Sequence, residues 1–337
     1  MNTDNTPPHN INPKFELVLL HPKYFLTWCG MGFIYLCKFL PYSLIIKLGG
    51  ALGSLLQSIS PHRKEIAQAN MQLCFPNKNE AEIDELVKAH FKNFGVGIFE
   101  LAIAWWSSEK TIKSLKSNSQ NINILKDLEK DQGALILIKH STHVELDIRL
   151  MSLDIDLGGM YKPQSNKAMS YLMIKARNRY VNGAINNRQA KMAFDWMKGG
   201  HKFLYAADQD YGTKVSQFVP FFGVDAATVT FPEYLSKEGL KIIMANVARN
   251  QEGFDLEFHE LDNYSEEGSV LKQINSFYED FILKSPASFL WMHRRFKNRP
   301  EGQKPVYSDW KEEIKKEKRL EKREANSASF YFLNLSA

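Results

Sequence analysis

The chain has 337 residues, 44% of them hydrophobic and 24% charged, with 43 Lys and Arg against 38 Asp and Glu. That length and apolar content hold one large or two ordinary domains with a sizeable core, which excludes an intrinsically disordered protein. The net charge of +5 is modest, and the locally basic stretches 177–179 and 293–299 fit anionic partners such as phosphates, acidic proteins and lipid headgroups. Cys29, Cys37 and Cys74 make no metal-ligand spacing, and two of them lie in an apolar segment, which argues for a reducing compartment without a disulfide framework.

Residues 1–13 are polar and carry Pro7, Pro8 and Pro13. They read as a disordered lead-in and lack the basic-then-apolar-then-small pattern of a signal peptide. Residues 24–37 hold no charge, Lys38 interrupts, and 39–46 are apolar again. Since a spanning helix needs ~20 apolar residues, this segment fits three arrangements: a span with Lys38 snorkelling, an amphipathic hairpin around Pro41 in the bilayer surface, or a buried core helix. Tyr24, Trp28, Tyr35 and Tyr42 suit a membrane interface. A polar helix follows His62-Arg63-Lys64 to about Leu73, and Pro76-Asn77-Lys78-Asn79 is a turn. Residues 80–106 read as one helix or two, with apolar positions at Ile83, Leu86, Val87, Phe91, Phe94, Ile98 and Leu101, ending on Trp105 and Trp106. Residues 107–120 are polar and Lys-rich, a surface connection.

Residues 133–149 organise the rest. Ala134 to Ile138 is an unbroken apolar run that meets His140, Ser141 and Thr142 abruptly, the pattern of a strand buried on both faces and stopping at a polar edge. A helix should start there, capped by Ser141 or Thr142, with Glu145 completing a capping box and Leu146 and Leu150 facing inward. This places two histidines and two carboxylates at the carboxyl end of a buried strand, where open α/β sheets bind ligands. Beyond it, segments 157–161, 167–177, 188–198, 202–207, 228–237, 241–248, 253–261 and 266–284 alternate between strand-like and helix-like patterns, which predicts a mixed or parallel α/β sheet covered by helices on both faces. Residues 311–324 are almost all charged and read as a solvated helix.

Two dyads can be drawn in the organising stretch. His143 and Asp147 are four residues apart and share a helical face, which is also the spacing of an ordinary surface pair. His140 and Glu145 lie roughly 140° apart on a continuous helix of ~100° per residue; they meet only if His140 sits in the strand-to-helix turn and Glu145 in the first helical turn. A histidine held by a carboxylate is fixed in one tautomer and becomes a better base toward a hydroxyl. The alternative for either pair is a satisfied structural histidine.

The run from His140 to Glu145 resembles the His-X4-Asp/Glu motif of lysophospholipid-type acyltransferases. The whole chain, from about residue 15 to about residue 305, resembles the late acyltransferases of lipid A biosynthesis, lauroyl acyltransferase branch. The resemblance begins with Leu20-His21-Pro22-Lys23-Tyr24-Phe25 and recurs at Leu73-Cys74-Phe75-Pro76 and Tyr161-Lys162-Pro163. It is strongest at Tyr205-Ala206-Ala207-Asp208-Gln209-Asp210-Tyr211-Gly212, at Phe218-Val219-Pro220-Phe221-Phe222-Gly223 and at Trp291-Met292-His293-Arg294-Arg295-Phe296-Lys297.

The resemblance implies a glycerolipid acyltransferase-like α/β fold: a lead-in over 1–13, a membrane-anchoring helical segment over 14–60, a catalytic domain over 61–305 and a charged tail over 306–337. It implies an inner-membrane enzyme with its catalytic domain facing the cytoplasm. The partners are acyl carrier protein, a Kdo-bearing lipid A precursor (lipid IVA) and the bilayer, with no nucleic acid. It implies no cofactor and no metal, the acyl carrier protein thioester being a co-substrate. His140 is then the general base and Glu145 its partner, acting on a 3-hydroxyl of an acyl chain. Arg177 binds phosphate or stabilises an oxyanion, Asp208 orders the site, and Lys162, Asp210, Arg294 and Arg295 bind substrate or order the site. Two positions depart from the family pattern: Lys162 stands where arginine is usual, and Asp147 where glycine is usual. Three rivals remain on the residues alone: a glycerophospholipid acyltransferase, a metal-dependent hydrolase using His140, His143, Asp147, Asp208 and Asp210, and a non-catalytic membrane scaffold.

Overall fold

The computed structural model describes residues 13–128, 132–186, 189–261 and 269–307. The expected disordered lead-in, apart from its last residue, and the charged tail from residue 308 lie outside them.

Two short 3₁₀ turns, Leu17–Leu20 and Pro22–Tyr24, lead into α1 (Phe25–Cys37) and α2 (Tyr42–Ile59). The break between them spans residues 38–41, and Pro41 sits at the N-cap of α2, where its missing N–H costs nothing. Then come α3 (Pro61–Cys74), α4 (Glu80–Trp106), α5 (Glu109–Leu115), β1 (Lys116–Gln120) and α6 (Asn123–Lys126). Asn79 and Glu82 form a reciprocal capping box at the start of α4, which explains why the helix begins directly after the predicted turn. The stretch 107–120 is more than a connection: it holds α5 and an edge strand. Its polar, half-exposed sequence hid β1, whose pairing with a distant strand supplies what side-chain patterning lacks.

The organising stretch forms β2 (Ala134–Ile138) and α7 (Val144–Met151). The remaining elements are β3 (Leu157–Tyr161), α8 (Lys167–Arg177), β4 (Gly183–Asn186), α9 (Ala190–Lys198), β5 (Lys202–Ala206), β6 (Ser216–Phe221), β7 (Val224–Val229), α10 (Phe231–Lys237), β8 (Lys241–Arg249), β9 (Phe254–Glu260) and α11 (Ser269–Lys284). The seven-stranded sheet has the order β1-β9-β8-β2-β5-β3-β4. From β8 to β4 the strands run parallel; β9 and β1 run the other way. The α/β class with a mixed sheet between helices is therefore as the sequence predicts. β6 and β7 form a separate antiparallel hairpin that the periodicity did not announce. Its turn, Phe222-Gly223, has φ of 51° and 74°, the paired positive values of a tight hairpin turn with glycine at the second position.

β2 lies at the middle of the sheet, and its side chains divide by alternation. Leu135 and Leu137 enter one apolar cluster with Phe91, Phe203 and Tyr278. Ala134, Ile136 and Ile138 enter the other with Phe99, Leu146 and Leu150. A strand buried on both faces must be apolar throughout, as this one is. Helix α4 contributes Ile83, Val87 and Phe91 to the first cluster and Val96, Phe99 and Ile103 to the second, so it crosses the sheet at its carboxyl edge. The crossing point is Gly97: a Cβ there would lie 1.8 Å from the Thr142 carbonyl oxygen, so only glycine lets the helix rest on the turn that follows β2.

Candidate active site

The geometry of this edge follows from strand register. β2 and β5 pair in parallel with Ala134 opposite Lys202 and Ile138 opposite Ala206. Carried two residues past each strand end, that register sets His140 beside Asp208. The Asp208 carboxylate accepts from both: the His140 backbone N–H at 2.7 Å and the imidazole Nδ1–H at 2.6 Å. Held at Nδ1, the ring presents Nε2 as its basic nitrogen. Asp208 is 1% exposed. Burial pushes its carboxyl up, but the charge and two hydrogen bonds of His140 hold it below the usual carboxylate range. For His140, burial disfavours the charged ring, yet the Asp208 charge and hydrogen bond outweigh burial and raise its pKa above the ordinary histidine value.

The expected pairing of His140 with Glu145 is replaced by this one. Glu145 accepts from Arg177, through Nη2 on one oxygen and Nε at 3.2 Å on the other, and from Trp105 Nε1 at 2.8 Å. Burial alone would raise its carboxyl; the Arg177 guanidinium takes it below the usual range. The expected capping box is also absent, because α7 starts after His143 with no side-chain cap and Glu145 spends its oxygens on Arg177 and Trp105. The Arg177 charge still acts on His140, lowering its pKa, so this ion pair stands beside the imidazole without holding it.

His143 and Asp147, the pair suggested by helical spacing, do meet. His143 Nδ1 lies 2.5 Å from Asp147 Oδ1, and Ser141 Oγ donates to Asp147 Oδ2 at 2.5 Å. Both side chains are buried, and the His143 ring packs against Phe254. Ser141 and Asp147 converge on the same side of the imidazole, so the trio does not relay a proton from serine through histidine to aspartate. Beside it, the buried Lys139 ammonium donates to Asn246 Oδ1, and burial pushes its pKa down.

The turn is clamped from outside the sheet. Thr142 N–H donates to the Ser288 carbonyl at 2.7 Å and Leu290 N–H to the His140 carbonyl at 2.9 Å. That bridge carries the 289–295 segment over the strand ends and closes a small cavity lined by His140, Asp208, Gln209, Phe289, Leu290, His293 and Arg295. Arg295 is 2% exposed; its guanidinium donates to the Ala227 carbonyl at 2.6 Å and Thr228 Oγ1 at 2.8 Å and lies over the Phe221 ring. It therefore ties the β6–β7 hairpin to the cavity. Asp210 accepts from Asn298 N–H at 2.7 Å and Asn298 Nδ2 at 2.6 Å, fastening the segment after β5 to the segment after Arg295.

Of the residues named from sequence, His140, Asp208 and Arg295 thus line one cavity, Glu145 and Arg177 form the adjoining ion pair, and Asp210 braces the wall. Arg294 faces elsewhere, against the His62 imidazole and over the Tyr307 ring. Lys162 is exposed just past β3 and does not line the cavity. The ligands proposed for a metal hydrolase separate into His140 with Asp208, His143 with Asp147, and Asp210 on Asn298; among the described residues no three His, Cys, Asp or Glu side chains converge to hold a metal. Sequence reasoning missed Trp105, Gln209, Phe289, Leu290 and His293. Only His293 carried a signal, as a titratable residue within one of the matched blocks.

Residues 12–298 match the family described as bacterial lipid A biosynthesis acyltransferase. The chain belongs to that family. Among curated relatives, the lipid A biosynthesis lauroyltransferase of Escherichia coli (strain K12) is 31% identical over 301 residues, 86% of this chain and 97% of that protein. The lipid A biosynthesis palmitoleoyltransferase of the same strain is 29% identical over 300 residues, 87% and 98% respectively. A lipid A biosynthesis acyltransferase of Haemophilus influenzae (strain ATCC 51907 / DSM 11121 / KW20 / Rd) is 29% identical over 307 residues, 88% and 98%. The protein is an acyltransferase of lipid A biosynthesis acting on a lipid A precursor. The match runs through the His140 turn, the Asp208 segment and the cavity wall to Asn298, so the whole cavity lies within the shared region.

Proposed function

We propose that this lipid A acyltransferase moves a fatty acyl chain, lauroyl or of similar length, from acyl carrier protein to a 3-hydroxyl on a Kdo-bearing lipid A precursor, lipid IVA, with His140 as general base. The observation that carries the chemistry is the imidazole at the carboxyl edge of the sheet, fixed at Nδ1 by a buried carboxylate and raised in pKa by it. His140 Nε2 takes the hydroxyl proton as the oxygen attacks the thioester carbonyl. The new C–O bond forms, the C–S bond breaks, and the proton passes from His140 to the departing thiolate. Neither an acyl-enzyme nor a cofactor is required. Asp208 sets the tautomer and stabilises the imidazolium; Glu145 fixes the Arg177 guanidinium close enough to add positive potential beside the reacting atoms.

The same reading sets the enzyme on the cytoplasmic side of an inner membrane, held by residues 14–60. Phe25, Leu26, Phe33, Leu36, Phe39, Leu44, Ile46, Leu55 and Ile59 are all exposed, an apolar surface of the kind that marks a membrane contact. Among the described residues, α2 is the helix long and apolar enough to cross a bilayer. Its glycine face, however, is occupied by α4, where a Cβ on Gly53 would lie 2.1 Å from the Phe91 carbonyl oxygen. A helix bonded to the body on one side and greasy on the other fits insertion parallel to the surface.

The test incubates purified protein with acyl carrier protein thioesters of several lengths and a tetra-acylated, Kdo-bearing precursor, with products read by mass spectrometry. A single added acyl ester is expected, its length identifying the donor among laurate, palmitoleate and their neighbours. No product with any donor would overturn the reading.

A further inference from the structure

The cavity that His140 lines holds a second imidazole for which base chemistry has no use. His293 Nε2 is buried and has no hydrogen-bond partner among the described residues. A buried polar atom left without a partner costs free energy, and His293 lines the small cavity beside His140. We propose that His293 is a further catalytic residue: its Nε2–H donates to the thioester carbonyl oxygen and stabilises the negative charge that develops there during attack.

The surroundings suit that role. The 291–293 backbone is held by Asn70, whose Nδ2 donates to the carbonyls of Trp291 and His293 at 2.7 Å each, and by Arg63, which donates to the Met292 carbonyl at 3.0 Å. A donor fixed before the substrate arrives needs no reorganisation during reaction, which is where oxyanion stabilisation gains its strength. The two imidazoles are also driven apart in acidity. Burial takes His293 down to about 4, while Asp208 takes His140 up. At neutral pH His293 is an uncharged N–H donor and does not compete for the proton that His140 must accept, the division of labour expected of two titratable groups in unlike environments. Arg295, in the same wall, spends its Nη atoms on Ala227, Thr228 and Asn275, and its Nε is a second buried donor without a partner among the described residues.

This assignment rests on the acyl-transfer reading. The test compares full-length wild type with His293→Ala and His293→Gln in the same mass-spectrometric assay, measuring kcat, KM for the thioester, the pH profile and the melting temperature. His293→Ala is expected to lower kcat about 10²–10³-fold, the usual effect of losing one oxyanion donor, with KM within a few-fold and the pH inflection of His140 in place. His293→Gln keeps an N–H and recovers part of the loss. If His293→Ala folds with kcat within threefold of wild type, or loses only KM, the assignment is overturned while acyl transfer stands. If His293→Ala fails to fold, His293→Leu, which fills the space without an N–H, decides by the same threshold, and a Leu variant that also fails to fold makes the residue structural and overturns it. A wild type that forms no acyl ester overturns both.

Discussion

His140 feels two opposed influences, burial favouring the neutral ring and the Asp208 carboxylate favouring the charged one, and the carboxylate prevails. The sign for activity follows. A base must be neutral, and a raised pKa means that the neutral form appears only at higher pH, so kcat/KM should rise with pH through an inflection above the ordinary histidine value of about 6.5. Asp208→Asn removes the charge and leaves burial and the Arg177 charge, both of which favour the neutral ring; the inflection should move to lower pH while kcat falls roughly 10²–10⁴-fold. An unmoved inflection in that variant would separate Asp208 from the imidazole. His143 is the contrast. It is buried with Asp147 and Ser141, so His143→Ala should cost stability, on the order of 3 kcal/mol for a broken buried pair, read as a lowered denaturation midpoint. Its kcat should stay far above that of His140→Ala. Asp147 is what gives His143 its partner. From sequence both histidines had a carboxylate in reach, and local spacing identified the His143 pair. It could not find the His140 pair, because Asp208 is 68 residues away and only strand register brings it back.

At the scale of elements, α4 connects the apolar N-terminal helices to the chemistry. Gly49 and Gly53 of α2 meet Gly95 of α4 so closely that a Cβ on Gly95 would lie 2.1 Å from the Gly49 carbonyl oxygen, and two residues later Gly97 rests on the His140 turn. Tyr42 OH donates to the buried Glu100 at 2.6 Å, and Arg249, at the end of β8, grips the same carboxylate through Nη2 at 2.6 Å and Nε at 3.1 Å. The start of α2 is thereby fastened to the sheet edge that carries His140. Gly95→Ala should force the helices apart at a cost of about 1–3 kcal/mol, as overpacking of a close contact does. The check is a lower melting temperature together with faster proteolysis in residues 38–60; wild-type values for both would show that the crossing tolerates a methyl group. Much here was legible. The bounds of α4 and α8 follow from their periodicity, and β2 from its unbroken apolar run; that 80–106 is a single helix, periodicity alone did not settle. The small-residue spacing of Gly49 and Gly53 is also visible in the sequence, but the helix that fills it is not.

For the whole molecule, the apolar outer surface of residues 15–59 and the cavity belong to one body, because α4 packs on both. Replacing Phe33, Leu36 and Phe39, all exposed, together with glutamate should remove apolar area and add charge at the lipid contact. The triple variant should lose co-flotation with phospholipid vesicles while keeping its melting temperature; flotation equal to wild type would place the membrane contact elsewhere.

The sequence by itself determined the class of fold, the helices and strands with strong periodicity, the sheet edge that carries His140 and, through collinear motifs, the family. These are written in local patterns: burial on both faces forces an apolar strand, and a turn at its end collects polar residues. The tertiary structure decided who touches whom. It gave His140 to Asp208 by the parallel register of β2 and β5, and Glu145 to Arg177 and Trp105. It joined His143 to Asp147, and it brought His293 over the strand ends by a bridge from Ser288 and Leu290. Such pairings depend on contacts between segments far apart in the chain, and no local spacing encodes them.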